Sequence, residues 1–147
     1  MRKIVLLVLF SCLLALLHAQ SLEELIAVNV KPVCTMTDFS IMLPAFLESL
    51  GGDDALRARL AALVERYSGD DLLTKGRLSL LAARAVRLQS SFFFLILPIE
   101  RYAFRLLVAE TVFSNTSSAG DIVSGLELID FIARFGQLYG VVDGAIE

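Results

Sequence analysis

The chain is poor in the residues that most catalytic and metal sites use. Its 147 residues include one histidine, two cysteines and no tryptophan. The histidine, His18, and the first cysteine, Cys12, both lie near the N-terminus. Without that segment the chain has no histidine and one cysteine, Cys34, which excludes a Ser-His-Asp or Cys-His pair within one chain and a zinc site of the usual ligands. We therefore expect no catalytic site, no metal and no cofactor.

Residues 1–19 have the pattern of a secretory signal peptide. Arg2 and Lys3 give a positive start, Ile4–Leu17 is uncharged, and Ala19 offers a small residue for cleavage. The alternative is a membrane anchor, but an uncharged run of about 14 residues is shorter than the roughly 20 that a bilayer span needs. We expect cleavage near Ala19, secretion to the extracellular space and no stable membrane span.

Removal of this leader makes the chain more acidic. It takes Arg2 and Lys3 from the 13 basic residues and none of the 16 acidic ones, so the net charge falls from −3 to −5. Nucleic acid is not an expected partner, because the balance is acidic and no basic run exceeds two residues. The hydrophobic share of 56% is high for a soluble protein. It indicates either a large core or an apolar surface that meets a partner.

The rest of the chain has the apolar spacing of helices. It predicts an all-α domain, an antiparallel five-helix bundle over residues 37–140, with a loosely ordered arm at 20–36 and a tail at 141–147. The predicted helices are Thr37–Leu50, Asp53–Tyr67, Asp70 or Thr74 to about Phe93, Ile99–Phe113, and Asp121 to about Leu138.

Local signals set details of this bundle. Thr37, Asp53 and Asp121 are the expected N-caps. Pro44 is expected to kink the first helix or delay its start. Short loops predict that consecutive helices run antiparallel. No internal repeat is visible in the sequence.

Three features leave alternatives open. Cys34 is either an intermolecular disulfide or a buried free thiol. Asn115-Thr116-Ser117 is an N-glycosylation motif on a polar loop, used or unused. The segment Ser91–Leu97 (SFFFLIL) fits core packing, a membrane-contact face or an aggregation-prone stretch.

The C-terminal part of the chain resembles a known family. An aromatic residue and the polar loop of Val112–Asp121 precede the helical sequence Glu127–Gln137. This order resembles the last loop and last helix of the N-terminal domains of spider-silk proteins (spidroins). Lys75–Leu81 is similar to the opening of the family's third helix, and the Asp53-Asp54 pair lies about where its second helix begins. Val33-Cys34 before a helix is similar to divergent members that carry cysteine.

The resemblance, loose over Thr37–Gln137, implies a secreted assembly domain. Such domains keep silk protein soluble and form antiparallel homodimers as pH falls. It implies that Asp53 or Asp54 pairs with Arg77 of a second copy, and that Glu127 is the helix-five acid that becomes protonated. Where the family has two later carboxylates in its third helix, this chain has Ser91 and Ile96, which do not titrate.

The residues alone support part of that expectation. Without histidine, an acid switch must use carboxylates with raised pKa. Two copies at −5 repel each other, and protonation weakens the repulsion. Self-association is therefore expected to increase as pH falls from about 7.5 to about 5.5. The alternative function is a secreted helical carrier of lipid or another apolar ligand, with phenylalanine and leucine lining a cavity.

Overall fold

The computed structural model describes residues 23–88 and 99–140, which are mostly helical. Its six helices are α1 (residues 23–29), α2 (Met36–Ser49), α3 (Asp54–Val64), α4 (Lys75–Ala85), α5 (Glu100–Ala109) and α6 (Gly125–Tyr139). The expected all-α class is confirmed, but these ranges hold six helices rather than five, because part of the predicted arm folds as α1. The predicted leader, the tail at 141–147, and Ser91–Leu97 with Ser91 and Ile96 lie outside the described residues.

Two helices start away from the expected caps. The N-cap of α2 is Thr35, not Thr37, because Asp38 accepts hydrogen bonds from the Thr35 N–H at 2.9 Å and the Thr35 hydroxyl at 3.2 Å. The N-cap of α6 is Ser124, not Asp121, because Glu127 accepts from the Ser124 N–H at 2.9 Å. Both are capping boxes, in which a carboxylate three residues on satisfies the N-cap N–H.

The other helix boundaries follow local chemistry. Asp53 caps α3, as expected, and Thr74, one of the two expected starts of the third helix, is the N-cap of α4. However, α4 ends at Ala85, well before the predicted end near Phe93, since Arg87 adopts a left-handed φ of 55°. Pro44 lies inside α2 without ending it. Its missing N–H removes one helical hydrogen bond, and the helix on either side of it is long enough to continue.

Three segments that precede helices meet in a ring of backbone hydrogen bonds. Cys34 N–H donates to the Val123 carbonyl at 2.8 Å, Val123 N–H donates to the Leu73 carbonyl at 2.9 Å, and Leu73 N–H donates to the Cys34 carbonyl at 2.9 Å. Each of these residues lies directly before an N-cap, of α2, α4 or α6. We call Cys34, Leu73 and Val123 the ring.

A second set of hydrogen bonds reinforces the ring in the opposite sense. The first residue of α2 donates to Asp71 O, that of α4 to Asp121 O, and that of α6 to Lys31 O, each at 2.9 Å. The first N–H groups of a helix have no partner within the helix. Here each helix start bonds the segment before the next helix, so the three starts have equivalent hydrogen bonds, although no internal repeat was predicted.

The ring means that the bundle is not simply antiparallel. α2 and α6 begin together at the ring and end together, where Gly136 and Gly140 approach Ser49. α5 begins beside the start of α4, since a Cβ on Gly76 would lie 3.1 Å from the Glu100 Cβ. α4 and α5 therefore begin at the same end of the bundle, and the residues that connect them lie outside the described ranges.

The core is centred on aromatic side chains. Phe46 of α2 is fully buried, with its ring centroid 5.6 Å from that of Phe135 and 6.2 Å from that of Phe131. The contacts continue from Phe131 to Phe113 at 5.3 Å and from Phe113 to Phe104 at 5.5 Å. Offset aromatic pairs at such distances add about 0.5–1.5 kcal/mol each beyond area burial. They join α2, α5 and α6 through one continuous set of rings.

Helix α1 packs on the start of α6 through a glycine. Val28 is buried, and Gly125 N–H donates to the Lys31 carbonyl just beyond α1 at 2.9 Å. A Cβ on Gly125 would overlap the Val28 carbonyl oxygen and lie 2.8 Å from the Asn29 oxygen. Both obstacles are backbone, so they cannot move as a flexible side chain does. The predicted loose arm is therefore a docked helix in the described residues.

Replacing Gly125 with alanine is expected to displace α1. We expect Gly125→Ala to lower the free energy of unfolding by about 1–3 kcal/mol, the usual cost of forcing an added methyl group into a packed site. Urea denaturation measures this loss. Gly120→Ala is the matched control, because a Cβ there meets nothing within 4 Å. Equal stability of the two variants would contradict the docking of α1.

Candidate functional site

The ring carries three exposed apolar side chains on its outer side. Val33, Leu72 and Ile122 each precede a ring residue and are 42%, 47% and 41% exposed. The ring residues themselves are fully buried. Side chains alternate between two faces along extended backbone, so burial of one residue turns its neighbour outward. We call Val33, Leu72 and Ile122 the apolar face.

Two more exposed apolar side chains lie beside the apolar face. Leu126, the second residue of α6, is 68% exposed, and Val30 is 75% exposed. The contact between Gly125 and the backbone that follows α1 brings these two segments together. The bundle therefore presents aliphatic side chains from three separate parts of the sequence at one end.

Lys31 and Asp38 form an ion pair next to this surface. Lys31 Nζ donates to Asp38 Oδ1 at 2.5 Å, while Asp38 is 1% exposed and the Lys31 side chain is 45% exposed. Burial acts to raise the pKa of Asp38, but hydrogen bonds from Lys31 and from the Thr35 N–H outweigh it and the pKa is lowered. Asp38 therefore stays ionised and holds the start of α2.

Lys75 and Glu127 form the corresponding pair between α4 and α6. Lys75 is buried, and its Nζ lies 2.9 Å from Glu127 Oε1 and 3.1 Å from Ser117 Oγ. Burial acts to raise the pKa of Glu127, but hydrogen bonds from the Ser124 N–H and from Lys75 lower it overall. In a single chain Glu127 therefore stays ionised at pH 5.5. The protonation that the resemblance implies would need a change of surroundings on association.

A cleft of about 500 Å³ opens beside this ion pair. Its floor is aromatic, from Phe113 and Phe131, and its rim carries charges of both signs, including Arg134 and Asp130. Arg134 and Asp130 bond each other at 2.9 Å. Lys75 and Arg134, the cations that line the cleft, already pair with Glu127 and Asp130. The cleft therefore has no excess of one charge that would attract a charged ligand.

The residues that the resemblance implies for the dimer have positions of their own within one chain. Asp53 caps α3 by accepting from the Leu56 N–H at 2.6 Å, and Asp54 follows it in the first turn. Arg77 donates to the Leu72 carbonyl at 2.7 Å, and its guanidinium lies 4.7 Å from the Tyr67 ring centroid. Its Nε is also 3.8 Å from Glu100. If Arg77 paired with an acid of a second copy, its guanidinium would have to make that contact alongside those with Leu72, Tyr67 and Glu100.

Cys34 and Asn115 have opposite environments. The Cys34 thiol is fully buried beneath the ring, and burial, with Asp38 nearby, raises its pKa to about 11. Such a position favours the free-thiol alternative over an intermolecular disulfide. Asn115 is exposed on the loop before α6, where a modifying enzyme can reach it. Its use as a glycosylation site stays a prediction.

The described residues lack two other kinds of site. No group of three or more histidine, cysteine, aspartate or glutamate side chains is placed to hold a metal within residues 23–88 and 99–140. In the same ranges no helix combines the length and apolarity needed to cross a bilayer. Of the phenylalanines that the structure describes, Phe46 and Phe135 contact each other in the core, whereas Phe113 and Phe131 also line the cleft.

Comparisons of the chain with protein families, curated proteins and solved structures find no match.

Glu127, which the resemblance implies is the acid that becomes protonated, is paired with Lys75, a contact that was not predicted, and its pKa is lowered. The sequence placed Lys75 only in the Lys75–Leu81 motif, and its contact with Glu127 depends on the starts of α4 and α6 lying together. Val33, Leu72 and Ile122 were also missed. Their shared pattern is two apolar residues followed by serine or threonine and, three residues later, a charged residue.

Removing the charge of Glu127 is expected to destabilise the fold. Glu127→Gln retains an acceptor for the capping box but leaves the buried Lys75 ammonium without its nearest anion, so we expect a loss of about 1–3 kcal/mol at pH 7. Urea denaturation measures it, with Glu48→Gln at an exposed position as the control.

The same variant tests the sign of the pKa shift. Because the folded pKa of Glu127 is lowered, its contribution is present above its ordinary pKa of about 4.3 and is lost as pH falls through the folded value. The stabilities of wild type and Glu127→Gln should therefore converge between about pH 5 and pH 2. A difference that widens on acidification would mean that the pKa is raised.

Proposed function

We propose that this chain is a secreted, non-catalytic helical module that binds a second copy of itself, more strongly as pH falls. The observation that carries the proposal is the apolar face: Val33, Leu72 and Ile122, exposed together on a hydrogen-bonded ring. Exposed aliphatic side chains on three segments that are bonded to one another are a feature that association sites use. The spidroin resemblance, which implies homodimerisation, supports the same class of function.

The backbone of the ring makes this face suitable for binding. Each of its three side chains is flanked by a buried residue whose N–H and carbonyl are both bonded within the ring. The surface is therefore held in one shape before a partner arrives. Pre-organisation of this kind lowers the entropy cost of association.

Net charge supports the pH dependence. The chain without its leader has a net charge of −5, counted from its 11 basic and 16 acidic residues. Two such copies repel at neutral pH, and any carboxylate that another carboxylate approaches has its pKa raised. Association then takes up protons, so lower pH favours it. Asp38 and Glu127 do not contribute, because their pKa values are lowered within one chain.

Sedimentation velocity tests the proposal on the protein expressed with its own leader in a secreting eukaryotic host. We expect a monomer at pH 7.5 and low micromolar concentration, and a growing dimer fraction towards pH 5.5. An unchanged monomer mass across this range, up to the highest soluble concentration, would overturn the proposed function.

Two leucines of α6 provide matched variants for this experiment. Leu126 lies beside the apolar face and Leu138 lies near the other end of the same helix, and they are 68% and 49% exposed. Leu126→Ser is expected to weaken the dimer, because burial of a leucine at an interface stabilises by about 1.5–3 kcal/mol. Leu138→Ser should leave it unchanged. The reverse pattern would place association at the other end of the bundle.

A further inference from the structure

The segments that carry the apolar face also carry unlike charges. Lys31 lies two residues before Val33, the pair Asp70-Asp71 directly precedes Leu72, and Asp121 directly precedes Ile122. One of the three segments is therefore basic and two are acidic. Lys31, Asp70 and Asp121 are exposed, and Asp71 is half-buried.

These charges remain available to a partner. Lys31 Nζ uses one of its three N–H bonds on Asp38 and is 45% exposed along its side chain. Asp71 Oδ2 accepts from the Ser68 N–H at 3.1 Å, and Asp121 Oδ2 accepts from the Ser118 N–H at 2.8 Å. A carboxylate has about four acceptor sites, so each aspartate can accept further hydrogen bonds.

A ring of three segments restricts how two copies can meet face to face. A two-fold axis makes residue i contact residue j and residue j contact residue i. Applied to three segments around a ring, it exchanges two of them and leaves the third opposite its own copy. Of the three possible exchanges, the one that pairs the most opposite charges places the Lys31 segment of one copy opposite the Asp70-Asp71 segment of the other. The Asp121 segment, which has one acid and Lys75 at 3.9 Å, then faces itself.

We infer that two copies of this chain dock through their apolar faces about a two-fold axis, with the Lys31 segment of each opposite the Asp70-Asp71 segment of the other. This rests on the proposed self-association and specifies its surface and orientation. Val33, Leu72 and Ile122 form the dry centre of the contact, and the charges form its rim. The arrangement differs from the pairing of Asp54 with Arg77 that the spidroin resemblance implies.

Three isosteric variants test the orientation by the sign of their effects. Asp71→Asn removes a rim pair on both sides of the dimer, so we expect its dissociation constant to rise about threefold to tenfold. Asp121→Asn removes a like-charge contact and should lower the dissociation constant. Asparagine keeps the acceptor for the Ser68 or Ser118 N–H in each case. Asp54→Asn, at the start of α3, should have no effect.

The measurement is sedimentation equilibrium of the secreted protein at pH 6 in 50 mM and 300 mM salt. The rim pairs should make the effect of Asp71→Asn smaller at the higher salt concentration. Thermal unfolding followed by circular dichroism confirms that each variant is folded. Tighter binding by Asp71→Asn, or weaker binding by Asp54→Asn alone, would overturn this orientation while leaving self-association intact. A monomeric wild type would instead overturn the proposed function itself.

Discussion

The ring of hydrogen bonds among Cys34, Leu73 and Val123 is the constraint on which the rest of the structure depends. It joins three segments that are far apart in sequence, and it fixes where α2, α4 and α6 begin. Helix starts leave N–H groups without partners, and the ring supplies partners from the neighbouring segments. The same bonds turn Val33, Leu72 and Ile122 outward. The architecture and the proposed association surface therefore have one physical origin.

The helix starts also determine how the molecule responds to acid. Positive ends of helix dipoles gather at the ring, and carboxylates at the third position of α2 and α6 offset them. Although burial alone would raise the pKa values of Asp38 and Glu127, their hydrogen bonds lower both. The fold therefore keeps these charges through the mildly acidic range in which association is proposed to increase. Acid can therefore act on the proposed contact between copies before it acts on the fold.

The sequence predicted the helices better than their arrangement. Apolar spacing located the five longer helices of the described residues, and Asp53 was a correct cap, because these signals are local. Thr35 and Ser124 were missed as caps although each has an acid three residues later, since Thr37 and Asp121 offered competing polar side chains. The docking of α1 could not be predicted, because the need for glycine at position 125 arises only from the Val28 backbone, which lies where a side chain would be.

The candidate site, like the fold, could be predicted from the sequence only in part. Glu127 was singled out only through the resemblance, and its contact with the buried Lys75 depends on the ring bringing α4 and α6 together. The parallel course of α2 and α6 was beyond sequence reasoning, because short connections constrain only helices that are consecutive. The threefold recurrence of the pattern around Thr35, Thr74 and Ser124 was present in the sequence and would have indicated equivalent helix starts.

Hydrogen exchange at three backbone amides tests the central claim most directly. Nuclear magnetic resonance can follow the N–H groups of Cys34, Leu73 and Val123 in the monomer at pH 7.5. If the ring holds the helix starts together, all three exchange only through global unfolding, with equal protection that matches the most protected core amides. Fast exchange at these amides, comparable to that of the exposed loop at Asn115, would contradict the account.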